Sequence, residues 1–327
     1  MTLFQRRKAK AADSLRLYYA SDIHGTEVLW RKFLNASKSY NTQVLVMGGD
    51  IAGKLVIPLV LGDDGVYRAQ LFGRKEQAST EAEADALEGR IRRNGMYPYR
   101  TTAPEVERIS SLSETEQEEW FEGVMVATFR RWIELADERL SGTGVRCFVM
   151  PGNDDPPSIE AEILAAKHVE SCDAKIVEFD RYAMLSLGYS NRTPWNSPRE
   201  LDEDDLFRRI SALADQVGDH TYCVYNLHVP PYDSQLDTAA ELDENFNPVL
   251  IGTQPHLIPV GSTAVREAIE KYQPLAALHG HIHESPGAIR IGRTLCLNPG
   301  SDYSTGRISG CIVNLRGEGV NHQFVTG

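Results

Sequence analysis

The chain has 327 residues, of which 42% are hydrophobic and 24% are charged, so it can bury a sizeable core and is not expected to be disordered. Acidic residues outnumber basic ones by 46 to 34, and the net charge of -12 disfavours contact with long nucleic acids or an anionic membrane, while leaving room for a local basic pocket. The longest apolar run, residues 55–61, contains a proline and is far shorter than the roughly 20 residues that cross a bilayer, so we expect no membrane span.

The beginning of the chain and its cysteines favour a cytoplasmic protein. Residues 1–14 contain basic side chains but no apolar stretch of the kind that follows them in a secretory signal, so we predict an N-terminal tail. The five cysteines are scattered and form no CxxC pair, which suits a reduced compartment. Several lie in apolar strand-like runs, so we interpret them as core residues rather than catalytic thiols: Cys147, Cys172, Cys223, Cys296 and Cys311.

Short apolar runs alternate along the chain with amphipathic stretches, which predicts an α/β fold. Ser113 and Glu116 match a capping box, so a helix is expected to begin there. After Thr294, short strands and Gly-containing turns predict a closing antiparallel meander. The predicted strands are 15–20, 44–47, 145–150, 182–187, 222–227 and 275–278, and the predicted helices are 27–39, 116–140, 157–168, 204–217 and 263–272.

Residues 54–112 interrupt this alternation. Two strand-like runs, 55–61 and 66–72, flank a Gly-Asp-Asp-Gly turn and predict a β-hairpin, which is followed by a helix with an acidic and then a basic half. We interpret this segment as a hairpin and helical cap inserted into one domain of residues 15–327. The cap could be a lid in which Arg68, Arg74 or Arg100 meets a phosphate. It could equally protect a sheet edge or form a contact in a homo-oligomer.

Five polar motifs occur in order along the chain, and four of them directly follow an apolar strand-like run. In α/β sheets, functional side chains collect beyond the carboxyl ends of the strands. Residues two apart in an extended segment point to the same side, so a D-x-H or H-x-H pair can reach one small volume. Each motif alone is common, but the ordered set indicates one site. The motifs are Ser21-Asp22-Ile23-His24, Gly48-Gly49-Asp50, Pro151-Gly152-Asn153-Asp154, Asn226-Leu227-His228 and Gly280-His281-Ile282-His283.

In this order the motifs resemble the calcineurin-like metallophosphoesterase superfamily, whose signature is D-x-H, G-D, G-N-H-[DE], a single His and G-H-x-H. The resemblance covers residues 22–283 and implies a layered sandwich with two central mixed β-sheets flanked by helices. It also implies two divalent metal ions. The oxygen and imidazole ligands, without thiolate, favour Mn²⁺, with Fe or Zn²⁺ as alternatives. By this resemblance, Asp22, His24 and His283 would bind one ion, Asn153, His228 and His281 would bind the other, and Asp50 would bind both.

The resemblance further implies a hydrolase in which a hydroxide shared by the two metals attacks a phosphoric ester, with Asp50, Asn153, Asp154 and His228 as catalytic positions. We expect a phosphodiesterase that acts on a small or nucleotide-like phosphoester. A nuclease with the same site is one alternative, but it requires nucleic-acid binding that the net charge disfavours. A non-catalytic scaffold of the same fold is another, although such a protein would be expected to lose ligands, and here every ligand position is occupied.

The position after Asn153 departs from the signature, because Asp154 stands where the family usually has His. A carboxyl group with its ordinary pKa of about 3.9 is ionised at neutral pH, which puts its help as a general acid in doubt. Three interpretations stay open. Asp154 could orient its neighbours, or the ester could have a leaving group that departs unaided. Alternatively, another histidine could take over the role, namely His279, His220 or His256, although His279 could equally pack beside the sheet.

Residues 190–196 form a polar segment that could rim the site with Asn191 and Arg192 or could be an ordinary surface loop. Directly after it, Ser197 is predicted to cap a helix. In that prediction Pro198 takes the first helical position and Glu200 closes a capping box.

Overall fold

The computed structural model of the protein describes residues 14–327, so the predicted N-terminal tail lies outside the described residues except for Ser14. None of the helices in this range combines the length and the apolar character that crossing a bilayer requires. The helices are α1 (Glu27–Tyr40), α2 (Glu81–Arg93), α3 (Ala103–Ser110), α4 (Glu114–Leu140), α5 (Pro157–Ala165), α6 (Glu203–Ala214) and α7 (Thr263–Tyr272).

The strands vary from two to eight residues, and the longest two form the C-terminal hairpin. In the first half of the chain they are β1 (Leu15–Ala20), β2 (Val44–Met47), β3 (Val56–Leu61), β4 (Tyr67–Leu71), β5 (Arg74–Ala78), β6 (Tyr97–Thr102), β7 (Arg146–Val149), β8 (Glu170–Ser171), β9 (Lys175–Phe179), β10 (Tyr182–Leu187), β11 (Ser190–Asn191) and β12 (Glu200–Leu201). In the second half they are β13 (Cys223–Leu227), β14 (Thr238–Ala240), β15 (Leu250–Ile251), β16 (Gln254–Pro255), β17 (Leu257–Pro259), β18 (Ala276–Leu278), β19 (Gly287–Ile291), β20 (Thr294–Asn298), β21 (Ser309–Arg316) and β22 (Gly319–Thr326).

Two mixed six-stranded sheets form the centre of the fold. The first has the order β22-β21-β1-β2-β7-β8, and the second has the order β19-β20-β18-β13-β10-β9. The neighbouring strands β1, β2 and β7 run parallel in the first sheet, as do β10, β13, β18 and β20 in the second. The edge strands β9 and β19 of the second sheet pair antiparallel with their neighbours, and in the first sheet β21 pairs antiparallel with both β1 and β22. This confirms the predicted α/β class with two central mixed sheets.

The alternation of side chains along β1 explains the layers. Leu17 and Tyr19 point into a core between the two sheets, where they meet residues of the second sheet such as Val224. Tyr18 and Ala20 point to the other face of the first sheet, against α1, α4 and α5. A third cluster lies between the second sheet and helices α6 and α7. The result is two sheets packed face to face with helices on both outer sides.

The structure confirms most of the predicted elements and corrects the ends of others. Strands β1, β2 and β10 and helix α7 have the predicted bounds. Ser113 caps α4, because its hydroxyl accepts a hydrogen bond from the Glu116 N–H while the Glu116 carboxylate accepts one from the Ser113 N–H. The predicted meander after Thr294 is wrong in its connectivity. β20 is a parallel neighbour of β18 in the second sheet, whereas β21 and β22 form an antiparallel hairpin in the first.

The predicted helix after Ser197 is also wrong. Glu200 pairs with Ser190 in the short parallel ladder of β11 and β12, and the next helix, α6, begins at Glu203. The Glu200 carboxylate does accept a hydrogen bond from the Ser197 N–H at 2.9 Å, as a capping box requires, but it also accepts from the N–H of Thr193. The same side-chain geometry therefore closes a loop instead of starting a helix.

Residues 56–102 form a separate four-stranded sheet with the order β5-β4-β3-β6, which confirms the predicted hairpin between β3 and β4. Leu59, Leu71, Leu87 and Ile91 lie in its small core. Two of the arginines proposed as phosphate contacts have acidic partners here. Arg68 pairs with Asp64, and Arg100 pairs with three carboxylates of α2. The role of this segment as an inserted lid stays a prediction.

Candidate metal centre

All seven predicted ligand positions converge at the carboxyl ends of the parallel strands, between the two sheets. Asp22 and His24 follow β1, Asp50 follows β2 and Asn153 follows β7, all in the first sheet. From the second sheet, His228 follows β13, and His281 and His283 follow β18. Backbone hydrogen bonds link the motifs directly: the Asp22 N–H donates to the Gly49 carbonyl at 2.9 Å, and the His24 N–H donates to the Asp50 carbonyl at 3.1 Å.

The backbone is strained where it presents these side chains. Asp22, His24, Asp50 and His281 all have positive φ angles, of 58°, 37°, 50° and 66°. Residues other than glycine rarely adopt this backbone conformation. Each instance costs about 1–3 kcal/mol, which contacts with the surrounding structure must offset. Here the surroundings do, since the His281 N–H donates to both carboxylate oxygens of Asp22 at 3.0 Å. Such strain is concentrated at functional sites in proteins.

A first cluster consists of Asp22, His24 and His283, whose candidate ligand atoms lie within 4.8 Å of one another. The Nε2 atoms of His24 and His283 are 3.0 Å apart, and His283 Nε2 is 3.4 Å from Asp22 Oδ1. Nitrogens bound to one metal at about 2.1 Å and at right angles would be about 3 Å apart. The spacing of the two imidazoles therefore fits a shared cation.

A second cluster consists of Asp50, His228 and His281, again within 4.8 Å. The Nδ1 atom of His228 is 2.8 Å from the Gly48 carbonyl, which can only accept, so Nδ1 carries the hydrogen of this bond. Its Nε2 atom then faces Asp50 Oδ1 at 3.4 Å. This nitrogen and Asn153 Oδ1 are buried and have no hydrogen-bond partner among the described residues. Buried polar atoms without partners are costly, and a cation would satisfy both.

Asp50 lies between the two clusters. One of its oxygens is 3.4 Å from His228 Nε2 in the second cluster, and the other is 3.9 Å from His24 Nε2 in the first. Both the donor types and the spacing therefore fit divalent cations, with Asp50 within reach of both clusters.

The local charges set the protonation states that ligands need. Burial would raise the pKa of Asp22, but the hydrogen bond from His283 and the nearby imidazoles outweigh it and lower this pKa to about 2. Burial also opposes ionisation of Asp50, yet the charge of the neighbouring His228 holds the pKa of Asp50 well below its usual range. Burial and the charge of His228 lower the pKa of His281 to about 4. At neutral pH, two carboxylates and a neutral imidazole are therefore available.

His228 is different. Burial lowers its pKa, but the Asp50 and Asp22 carboxylates raise it to about 10, so without a metal this imidazole holds a proton at neutral pH. A cation that binds Nε2 must displace that proton.

Asp154 lies at the edge of the two clusters, and its contacts are numerous. Its backbone N–H donates to Asp50 Oδ1 at 3.0 Å, and its Oδ1 atom accepts hydrogen bonds from the Ser197 hydroxyl at 2.6 Å and from Asn153 Nδ2 at 3.2 Å. Its other oxygen forms an ion pair with Lys54. Asp154 also has an oxygen within 4.8 Å of ligand atoms of His24 and Asp50. Its carboxylate oxygens are nevertheless satisfied by protein donors, unlike the orphaned atoms of Asn153 and His228.

The three histidines considered as substitutes all have other contacts. His279 is buried beside the sheet, where its Nδ1 atom donates to the Leu227 carbonyl at 2.8 Å and burial lowers its pKa to about 4. His220 precedes β13, at the end of this strand opposite to His228, and contacts the Tyr225 hydroxyl. His256 pairs with Glu241 at 2.6 Å. These contacts favour the packing interpretation of His279.

The structure brings in residues that the sequence interpretation missed. The ring of Tyr303 lies 4.7 Å from that of His24, between centroids. Asp155 accepts hydrogen bonds from three backbone N–H groups beside the site, including that of Ala52 at 2.7 Å, and burial together with the Asp50 charge raises its pKa to about 6. Asp155 fills the last position of the G-N-H-[DE] signature, so that signature could have revealed it. Lys54 and Tyr303 had no such signal.

The two predicted rim residues have other partners. Asn191 Nδ2 donates to the carbonyls of Val260 and Gly261 at 3.4 and 3.3 Å, and Arg192 forms an exposed ion pair with Asp202. Within this loop it is Ser197 that reaches the site, through Asp154.

Comparison with known proteins supports the fold. No family model matches the chain. An uncharacterized protein of Methanocaldococcus jannaschii is 28% identical over 152 residues, which is 46% of this chain and 62% of that protein, less than two thirds of its length. One crystal structure superposes with a TM-score of 0.56 over 95% of this chain and 98% of its own, at 14% identity. TT1561 of Thermus thermophilus has a TM-score of 0.49 and 13% identity, covering 94% of this chain and 98% of its own.

The fold is thus a layered α/β sandwich shared with a solved structure, and it holds a candidate binding site for divalent metals at the carboxyl ends of its strands. At 14% identity the structural likeness extends to the fold alone.

Proposed function

We propose that this protein is a dinuclear metallophosphoesterase of the calcineurin-like type, and that it acts as a phosphodiesterase on a small or nucleotide-like ester. One observation carries the proposal. Two clusters of imidazole and carboxylate side chains lie on either side of Asp50, and buried atoms of His228 and Asn153 have no hydrogen-bond partner among the described residues. Most buried polar atoms in proteins have hydrogen-bond partners, so two such atoms beside the clusters support a bound cation.

The ligand roles follow from the same contacts. Asp22, His24 and His283 would hold one cation, Asn153, His228 and His281 would hold the other, and Asp50 would contact both. Two divalent cations supply Lewis-acid polarisation of a phosphoryl group and lower the pKa of water near them. The ligand set without thiolate supports Mn²⁺ as the activating ion, with Fe or Zn²⁺ as alternatives.

The protein itself contributes orientation and charge. The Gly48 carbonyl fixes the tautomer of His228, so that Nε2 and not Nδ1 faces the site. The His281 N–H ties the Asp22 carboxylate to the second sheet, and the Ser301 hydroxyl donates to the Asp22 carbonyl at 2.6 Å. These contacts hold the ligands in place before any ion binds, so little reorganisation is needed.

Hydrolysis assays with metal-stripped protein test the proposal. Mn²⁺, Zn²⁺ or Fe²⁺ is added back with bis(p-nitrophenyl) phosphate or p-nitrophenyl phosphate, and bound metal is measured by elemental analysis. We expect two ions per chain and metal-dependent turnover, faster on the diester. Asp50→Asn and His228→Ala should each lower turnover at least about 100-fold, since they remove a ligand. Asp63→Asn and His322→Ala, at positions on the hairpin turn and on β22, are the matched controls.

Two results would contradict the proposal. If the protein binds no divalent metal, the ligand assignment fails. If it binds two ions but hydrolyses neither ester with any of the three metals, the catalytic assignment fails and a metal-binding scaffold takes its place.

A further inference from the structure

Lys54 is a cation at the edge of the candidate metal centre. Its ammonium forms an ion pair with Asp154, which is one of the predicted site residues. The charge of Lys54 also reaches the centre. Burial is the main cause of the lowered pKa of His24, and Lys54 makes a smaller contribution in the same direction. Burial lowers the pKa of Lys54, but the contact with Asp154 raises it, and Asp50 and Tyr303 add smaller contributions in the same direction. The net result is a raised pKa.

The Asp154 carboxylate is held from several sides, so it fixes the position of the ammonium. It is bound to Asp50 through its backbone and to Ser197 through its side chain, and its side chain is only 15% exposed. The loop that carries Ser197 is anchored in turn by Arg199, whose N–H donates to the Asn153 carbonyl at 3.1 Å. The Arg199 guanidinium pairs with the buried Asp173 at 2.5 Å.

Lys54 itself is left accessible. Its side chain is 63% exposed, in contrast to Asp154. An ammonium has three N–H donors, and the pair with Asp154 needs one. Other cations nearby in sequence are neutralised away from the centre, since Arg68 and Arg100 pair with carboxylates of the 56–102 segment. Lys54 therefore offers free donors at the edge where a substrate would approach.

We propose that Lys54, positioned by Asp154, donates a hydrogen bond to the departing oxygen of the ester, and that the substrates are consequently phosphoesters of ordinary, unactivated alcohols. This inference rests on the proposed function. It replaces the interpretation in which the leaving group departs unaided. Asp154 is a positioning residue in this arrangement.

The step balances without a further reactant. The oxygen of the attacking water forms a bond to phosphorus, and the bond from phosphorus to the ester oxygen breaks. Its electron pair goes to the departing oxygen, where the negative charge that develops is stabilised by the Lys54 N–H. One proton of the water ends on that oxygen to give the alcohol, and the other remains on the phosphate or is lost to solvent. Lys54 is an ammonium before and after.

A series of methyl aryl phosphates, from p-nitrophenyl to unsubstituted phenyl, tests the inference with metal-loaded protein. Phenol itself has a pKa of about 10, like the tyrosine side chain, and is the poorest leaving group in the series. Lys54→Met should lower kcat/KM less than about fivefold on the p-nitrophenyl ester but about 100-fold on the phenyl ester, as expected for the loss of a hydrogen-bond donor to developing charge. Lys54→Arg should restore most of the loss, and Lys75→Met on β5 is the matched control.

Two further measurements separate this role from a structural one. Asp154→Asn should steepen the dependence on the leaving group in the same way, and its effect should not add to that of Lys54→Met, because both act through one contact. The affinity for inorganic phosphate, measured by calorimetry, should change less than about threefold in Lys54→Met, since phosphate has no leaving group. Bound metal should stay at the wild-type level.

The outcomes are distinct. If the wild-type protein with metal hydrolyses no ester of the series, the proposed function fails and this inference falls with it. If the wild type is active and Lys54→Met lowers the rates on all esters equally or not at all, only the inference is overturned. A tenfold or larger loss of phosphate affinity with an unchanged dependence on the leaving group would overturn it too, since Lys54 would then contact the phosphoryl group.

Discussion

The candidate metal-ligand cluster and its rim are built differently. Each ligand residue directly follows a strand or its turn, and the motifs are tied to one another by backbone hydrogen bonds, such as that from Asp22 to Gly49. The rim, which we define as Lys54, Asp154, Ser197 and Tyr303, is held by side-chain contacts between loops that are far apart in sequence. If the proposed function is correct, this arrangement would keep the ions in a rigid frame and leave the substrate contacts to more variable loops.

Breaking the anchor of the rim should have the largest effect on stability. Arg199→Met leaves the buried Asp173 carboxylate without its guanidinium, and removal of one partner of a buried ion pair typically costs about 3–5 kcal/mol. We expect a loss of that size in the free energy of unfolding, measured by urea denaturation. Arg192→Met, which removes the exposed pair with Asp202, should cost no more than about 1 kcal/mol. Equal losses in the two variants would show that the loop is not anchored at Asp173.

Breaking the cluster should affect metal binding instead. A Cβ at Gly152 would lie 2.1 Å from Asp50 Oδ1 and 2.4 Å from the Asp50 backbone nitrogen, so Gly152→Ala must displace the carboxylate between the two clusters. We expect Mn²⁺ affinity to fall about 10–100-fold by calorimetry, as for other changes beside metal ligands. Gly123→Ala is the matched control, because its Cβ would meet no atom within 4 Å and alanine favours the helix. Unchanged affinity in Gly152→Ala would argue against Asp50 as a ligand.

A smaller effect sharpens the same comparison. His228 has a pKa of about 10 and must lose its proton when Nε2 binds a cation. Raising the pH removes the competing proton, so between pH 7 and 9 the affinity of the second cluster for Mn²⁺ should rise about tenfold per pH unit. Calorimetry in buffers with different ionisation enthalpies should detect about one proton released. Affinity that does not change with pH would mean that this imidazole is neutral in the free protein.

Much of the cluster could be predicted from sequence because its signals are local. An apolar run followed by Asp-x-His or His-x-His predicts both a strand and the place where its ligands lie, and parallel strands bring such places together. The ends of β1, β2 and β10 were predictable because each strand is a short apolar run that stops at a polar or Gly-containing turn. The fold class followed from the alternation of strands and helices.

The rim could not be predicted in this way. Lys54 and Asp154 are 100 residues apart, and no spacing or periodicity links them. Ser197 to Glu200 has the sequence of a capping box, but the pairing of Glu200 with Ser190 in β12 and β11 overrides the local preference for a helix. Tertiary pairing decided the outcome there, so a local motif was correct about the hydrogen bond and wrong about the element.

The pairing of Lys54 with Asp154 also sets the order in which the site would fill. The two charges cancel. In the absence of ions, the protonated His228 therefore offsets only part of the charge of the ionised Asp22 and Asp50, and the centre of this chain of net charge -12 repels a phosphate. Two divalent cations reverse the sign of that local potential. We therefore expect sequential loading, with ions first and anion second, and inorganic phosphate should bind measurably to the Mn²⁺-loaded protein but not to the metal-stripped one.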